Sequence, residues 1–211
     1  MKLFGWIEQR LPRAAKSVID IGCGRGQFLD FIKDQRTDIA ATGVDIAPNI
    51  SRKGITFYQG DIFALELGQF ECLVSLQVIE HIADVQGFVA RLRELTNPGG
   101  TIVISTIAED SVLFWLARVA KRLRWPVVFN RLYSAHHLQH FRRRSLARLI
   151  ADHGFRIEET LIHNPPLRAI DTPVMPTTLR PFMGAVLMSL LAAGALSGRS
   201  YLQTIVATKV D

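Results

Sequence analysis

The stretch that most constrains the fold is VIDIGCGRGQFL, residues Val18 to Leu29. An apolar run interrupted by Asp20 stops at three alternate glycines, Gly22, Gly24 and Gly26, and helix-periodic residues follow at once. Glycine reaches backbone dihedrals closed to other residues and lets a ligand come close to the main chain. Free N–H groups at a helix start favour electronegative ligand atoms. Strand, glycine turn and helix, in that order, form the opening unit of a doubly wound α/β sheet. The plainer reading of the turn alone is a corner that packs a helix on a strand.

The pattern then repeats. Apolar, charge-poor runs predict strands over Ser17–Ile21, Ala40–Asp45, Ile55–Gln59, Phe70–Leu76 and Thr101–Ser105, with a turn at Asn97-Pro98-Gly99-Gly100 before the last. Helical spacing covers Gln27–Gln35 and Val85–Leu95. Further on, helices are expected over Ser111–Arg124 and Arg143–His153, and strands over Phe155–Ile162 and Tyr201–Lys209. The expected fold is α/β, a doubly wound Rossmann-like, mostly parallel sheet. The 211 residues suit one such domain. Its expected parts are an N-terminal helix over 1–16, a lid or acceptor region over 107–141, and an apolar helical insertion over 164–200 between the last two strands.

Lys and Arg number 25 against 19 Asp and Glu, a net charge of +6 that favours anionic partners without choosing among them. With only Cys23 and Cys72, neither a disulfide framework nor zinc-ligand spacing is available. Leu3, Phe4, Trp6 and Ile7 are followed by Glu8 and Arg10, too short an apolar run for a signal peptide. A cytoplasmic protein is expected, with a peripheral site at the inner membrane face as an extension.

A dinucleotide turn, G-x-G-x-x-G, would need glycine at position 27, where Gln27 stands. Asp20 at the mouth of the turn would repel a pyrophosphate. It suits a ligand with an ammonium group and a cationic centre, and S-adenosylmethionine carries both without any phosphate. Asp45 ends the second strand, where an acid reaches ribose hydroxyls in this sheet type. Asp61 follows the third strand, where a carboxylate can accept from an exocyclic adenine amine. Either acid alone has a simpler role as a helix N-cap.

Val18–Leu29, Val44-Asp45, Gly60-Asp61-Ile62, Val78-Ile79-Glu80-His81 and Asn97–Ser105 resemble the successive motifs of class I S-adenosylmethionine-dependent methyltransferases. The likeness is greatest to the small-molecule branch related to ubiquinone-biosynthesis O-methyltransferases. His136–Phe141, Ser145-Leu146 and Gly154-Phe155 resemble that branch's second half. The resemblance implies a seven-stranded sheet with a late antiparallel strand. It also implies that Asp20 and the glycines hold the methionyl part, Asp45 the ribose, and Asp61 with Ile62 the adenine. The expected cofactor-binding set is Asp20, Gly22, Cys23, Gly24, Gly26, Asp45, Ile46, Asp61, Ile62 and Gln77.

Methyl transfer to oxygen needs alignment, exclusion of water and a base. The candidate catalytic residues are Glu80 and His81, expected to face the cleft after the fourth strand, and His137 and His140. The simpler alternatives are a capping pair and loop histidines bonded to backbone. Ahead of a helix, His137 and Phe141 would share one helical face, as would His136 and His140. The quinone branch carries a further acid where this chain has Gln77, a weaker ligand for a hard cation, so no metal is expected. His163-Asn164-Pro165-Pro166-Leu167 is similar to an amino-methyltransferase motif, but it follows a late strand and reads as a loop.

Pro181–Gly198 carries no charge, yet the strands around it belong to one sheet, which argues against a membrane crossing. Val112, Leu113, Trp115, Leu116, Val119 and Leu123 give an apolar surface, while Arg118, Lys121, Arg122 and Arg124 crowd another region, with Trp125 beyond. Such a helix is either a lid with a solvated basic side or an element lying on lipid. The expected acceptor is a small molecule or a lipid-like one. A nicotinamide-dependent oxidoreductase and a non-catalytic cofactor-binding protein on the same frame stay as alternatives. Nucleic acid is not expected as a partner, because no aromatic-interleaved basic groove is present.

Overall fold

The computed structural model describes residues 3–48, 51–133, 136–166 and 180–210. Its strands are β1 (Ser17–Ile21), β2 (Ala40–Asp45), β3 (Ile55–Gln59), β4 (Phe70–Leu76), β5 (Thr96–Ile107), β6 (Phe155–His163) and β7 (Leu202–Lys209). They form one sheet in the order β3-β2-β1-β4-β5-β7-β6. The first five run parallel, and β7 lies antiparallel to both β5 and β6. The sheet is thus doubly wound with a late antiparallel strand, as expected. The strand order reverses at β1, so the crevice at its carboxyl end is where such sheets bind ligands.

The helices are α1 (Leu3–Glu8), α2 (Gln27–Gln35), α3 (Val85–Leu95), α4 (Val112–Arg122), α5 (Val127–Leu132), α6 (Arg143–Asp152) and α7 (Arg180–Leu196). In α3 the buried residues Phe88, Val89, Leu92 and Leu95 repeat at helical spacing, and Asp84 caps the start by accepting from Gly87 N at 2.9 Å. Along β1 the side chains alternate. Ile19 and Ile21 join Leu73, Phe88, Leu92, Ile102, Leu146 and Ile150 on one face. Val18 joins Trp6, Ile7, Phe28, Leu29, Ile32 and Val103 on the other. Each large apolar side chain buried in these layers contributes about 1.5–3 kcal/mol, which holds the strand ends in register.

Several expectations need correction. The turn Asn97–Gly100 is not a boundary: Thr96 already pairs with Phe70, the register slips between Phe70 and Cys72, and Gly99 absorbs the irregularity at φ +71°. The N-terminal helix covers only Leu3–Glu8. The basic helix stops at Arg122, Arg124 turns the chain at φ +65°, and the separate α5, absent from the sequence reading, follows. Residues 136–142 are not helical, because Phe141 pairs with Ala108 beside β5 and its carbonyl accepts from Glu109 N. His137 and Phe141 therefore do not share a helical face. Within the apolar insertion, α7 accounts for the apolar part, while residues 167–179 lie outside the described residues.

Candidate active site

The glycine turn is built by backbone bonds from β2. Gly22 N and Cys23 N both donate to the Val44 carbonyl, at 2.8 and 3.1 Å, and Gly26 N closes onto Cys23 O. Gly22, at φ +73°, faces Val78, and a Cβ there would lie 2.2 Å from Val78 Cγ2. The turn is therefore closed to a larger residue by the segment that follows β4.

The acids stand at successive strand ends. Asp45 Oδ2 accepts from Gly24 N at 2.7 Å and Oδ1 from Ala47 N at 2.9 Å. Gly60 N donates to Asp45 O, which ties the end of β3 to the end of β2. Asp61 Oδ1 accepts from Phe63 N, Ile62 is buried, and Arg91 Nε holds the Ile62 carbonyl at 3.1 Å. Ile46 is exposed at the rim. Asp20 is 3% exposed, and its Oδ1 has no hydrogen-bond partner. Burial, reinforced by Asp45, pushes its carboxyl up to about 7. Gln77 leaves β4 in the left-handed region at φ +59°. Asp20, the glycines, Asp45, Asp61, Ile62 and Gln77 thus sit around the carboxyl ends of β1 to β4.

The expected acid–base group is arranged differently from expectation. Glu80 does not face an open cleft: it is 1% exposed, accepts from Thr106 Oγ1 at 2.7 Å, and burial raises its pKa. His81 is exposed, with Nδ1 2.6 Å from the His136 carbonyl. Its ring lies 5.1 Å from that of His137, which stands 6.2 Å from His140. His140 stacks on Tyr133 at 4.6 Å and meets the Phe114 ring edge-on at 5.7 Å. His137 Nδ1 and His140 Nε2 are buried with no hydrogen-bond partner. Burial lowers the His137 pKa, which keeps its ring neutral at neutral pH. Gln139 N donates to Glu80 O, stitching the histidine segment to the end of β4. Among the described residues, no group of three or more His, Cys, Asp or Glu is disposed to hold a metal ion.

Sequence reasoning missed the residues behind this layer. Thr106 holds Glu80, and Gln203 Nε2 donates to both Ile107 O and Phe141 O. Glu109 accepts from Tyr133 Oη and Arg118 through Oε1 and from Arg142 through Oε2. The available signal was a pair of polar residues, Ser105-Thr106 and again Gln203-Thr204, inside apolar strands. His163-Asn164 is also more than a loop. His163 ends β6, while Asn164 donates to Leu191 O at 2.8 Å and accepts from Tyr201 N at 3.0 Å, joining α7 to the start of β7. Leu167 of that motif lies outside the described residues.

Comparison with known proteins agrees with this architecture. A ubiquinone biosynthesis O-methyltransferase of Pseudomonas aeruginosa is 30% identical over 125 residues, 53% of this chain and 53% of that protein. One from Thiobacillus denitrificans is 26% identical over 129 residues, 54% of each chain. The chain thus spans about half the length of the curated relatives it matches. An S-adenosylmethionine-dependent methyltransferase from Mesorhizobium loti superposes with a TM-score of 0.63 at 18% identity, covering 97% of this chain and 96% of that one. A Burkholderia thailandensis 1,6-didemethyltoxoflavin-N1-methyltransferase gives 0.62 at 18% identity, over 99% of this chain and 76% of that one. The model of the methyltransferase domain matches residues 2–160. The chain belongs to that methyltransferase-domain family and has the fold of the S-adenosylmethionine-dependent methyltransferase it superposes on.

Proposed function

We propose that this chain moves a methyl group from S-adenosylmethionine to an oxygen of a small hydrophobic or lipid-like acceptor, working at a membrane surface. The residues at the strand ends suit that cofactor. Asp20 offers a buried carboxyl with an unpartnered oxygen, matched to an ammonium group. At Gly24 nothing lies within 4 Å of where a side chain would start, which leaves room for a ligand to approach the backbone. The Asp45 oxygens each accept one backbone N–H and retain lone pairs for two ribose hydroxyls. Asp61 and Ile62 serve the adenine, and Cys23, Ile46 and Gln77 complete the rim. When bound, the cofactor supplies an electrophilic methyl group on a good leaving group.

What the protein adds is orientation, exclusion of water and a proton acceptor. The observation that carries the oxygen reading is the pair of buried, unpartnered imidazole nitrogens on His137 and His140. The His137 imidazole, kept neutral by burial, takes a hydroxyl proton as the oxygen attacks. His137 is the first choice as base and His140 the second, with His81 and Glu80 as their supports. Relatives named O-methyltransferases support oxygen as the atom.

A lipid-facing acceptor is supported by the outer surface. Trp125 is 78% exposed, with Trp115, Leu123, Val127 and Val128 also open and Lys121, Arg122 and Arg124 among them. On α7, Phe182, Met188 and Leu196 are exposed as well. Basic residues beside tryptophan suit an anionic lipid surface. Among the described residues no helix is long and apolar enough to cross a membrane, so the contact is peripheral in this reading. The test is methyl-labelled S-adenosylmethionine incubated with the protein and a lipid extract. Label entering the organic phase as an alkali-stable ether supports the proposal, and label found only on amines or in the aqueous phase overturns it. Charge reversal at Lys121, Arg122 and Arg124 should abolish sedimentation with anionic vesicles, and unchanged sedimentation overturns the membrane part.

A further inference from the structure

A line of buried hydroxyls crosses three strands toward the cofactor cleft. His163 Nε2 on β6 lies 2.9 Å from Thr204 Oγ1 on β7. Thr204 Oγ1 lies 2.9 Å from Ser105 Oγ on β5, and Gln77 Nε2 donates to Ser105 Oγ at 3.4 Å. Gln77 N also donates to the Ser105 carbonyl at 2.8 Å. Thr204 and Ser105 are fully buried and directly paired across the antiparallel ladder. The line ends at a residue in a costly conformation. Gln77 sits at φ +59°, one of two non-glycine residues with positive φ among the described residues. A left-handed residue other than glycine is strained and persists only where its surroundings hold it. The next residue, Val78, fills the space beside Gly22. A shift of Gln77 out of this conformation therefore moves Val78 against the glycine turn.

We infer that Ser105 and Thr204, backed by His163, are positioning residues that clamp Gln77 and so fix the glycine turn for the cofactor. None of them touches the cofactor in this account. The late antiparallel strand, which carries no residue of the expected cofactor set, thereby acts on the site from behind. The inference rests on the reading of the turn as the S-adenosylmethionine site.

The test is calorimetric binding of S-adenosylhomocysteine, which needs no knowledge of the acceptor, with thermal denaturation alongside. Ser105→Ala and Thr204→Val should each raise Kd about two- to tenfold, as loss of one hydrogen bond in the clamp implies. Thr204→Ser, which keeps the hydroxyl, should restore the wild-type Kd. The decisive comparison is made in a Gln77→Gly background, where glycine needs no clamp to hold positive φ. There Ser105→Ala should raise Kd no further. A purely structural role for the hydroxyls would lower Tm and leave Kd unchanged, and that result overturns the inference. So does an equal rise in Kd with and without Gln77→Gly. Asp45→Ala is measured in parallel: if it retains full binding, the cofactor reading itself fails, whereas loss there with no effect at Ser105 and Thr204 refutes only the clamp.

Discussion

Asp45 Oδ2 accepts the backbone N–H of Gly24 at 2.7 Å, so the carboxylate that ends β2 also shapes the turn that follows β1. One residue thus links two parts of the proposed cofactor site. Its second oxygen takes Ala47 N, which fixes the carboxylate plane before any ligand arrives. Preorganisation of this kind spares the ordering cost of binding.

Gly22 and Gly24 should respond differently to alanine. At Gly22 the new Cβ meets Val78 Cγ2 at 2.2 Å and the backbone is left-handed, so Gly22→Ala should cost on the order of 3 kcal/mol or more and abolish cofactor binding. Gly24 has φ +51° but nothing within 4 Å of such a Cβ, so the cost there should be the backbone penalty alone, about 1 kcal/mol. Urea denaturation of both variants checks the difference.

Burial of Asp20 makes the cofactor-free protein sensitive to pH. Its carboxyl rises from 3.8 in the unfolded chain to about 7 in the folded one. The folded state then binds the proton more tightly, and the associated stability is full below pH 4 and falls away as pH climbs toward 7. Asp20→Asn should flatten that decline, a difference on the order of 2–4 kcal/mol across the window. Equal slopes for the two proteins in urea melts from pH 4.5 to 7.5 would contradict this origin.

Glu80 gives a second, separable pH effect. Its raised pKa, set first by burial, means that its contribution is greatest at low pH and declines as pH rises through the folded value. Glu80→Gln keeps a group able to bond Thr106 and removes the charge. It should match the wild type near pH 5 and equal or exceed its stability at pH 8, while retaining S-adenosylhomocysteine binding. A variant destabilised at both pH values would show that the ionised carboxylate is needed for folding.

Glu109 gathers Tyr133, Arg118 and Arg142 around one carboxylate, on both sides of the histidine segment in sequence. Glu109→Ala should lose about 1–2 kcal/mol, since three donors lose an acceptor at a partly buried site. It should also shift the His140 ring resonances, because Tyr133 would no longer be held 4.6 Å from that ring. Proton–nitrogen correlation spectra of the imidazoles report this directly.

The strand ends that carry the proposed cofactor site were legible because their determinants are local. Asp20 lies just before the end of an apolar run, the glycines and Asp61 just past one and Asp45 at the end of one, and the resulting strands match the expected bounds for β1 to β4. The histidine segment was not legible. Its extended course depends on Phe141 meeting Ala108 and on Gln203 from the far end of the chain, and neither contact leaves a trace in local periodicity. The inward turn of Glu80 depends likewise on Thr106, a partner distant in sequence. Helix α5 follows Pro126 just past Arg124, where the expected basic helix ends, and its six residues are too few to show a helical period of their own.

The central claim is a cofactor cradle at the carboxyl ends of β1 to β3, and titration calorimetry with S-adenosylhomocysteine on the wild type and on Asp45→Ala tests it most directly. Saturable one-to-one binding by the wild type, weakened at least a hundredfold in the variant while its melting temperature stays within a few degrees, is the predicted result. Wild-type heats no different from buffer, or equal affinity in the two proteins, would contradict it.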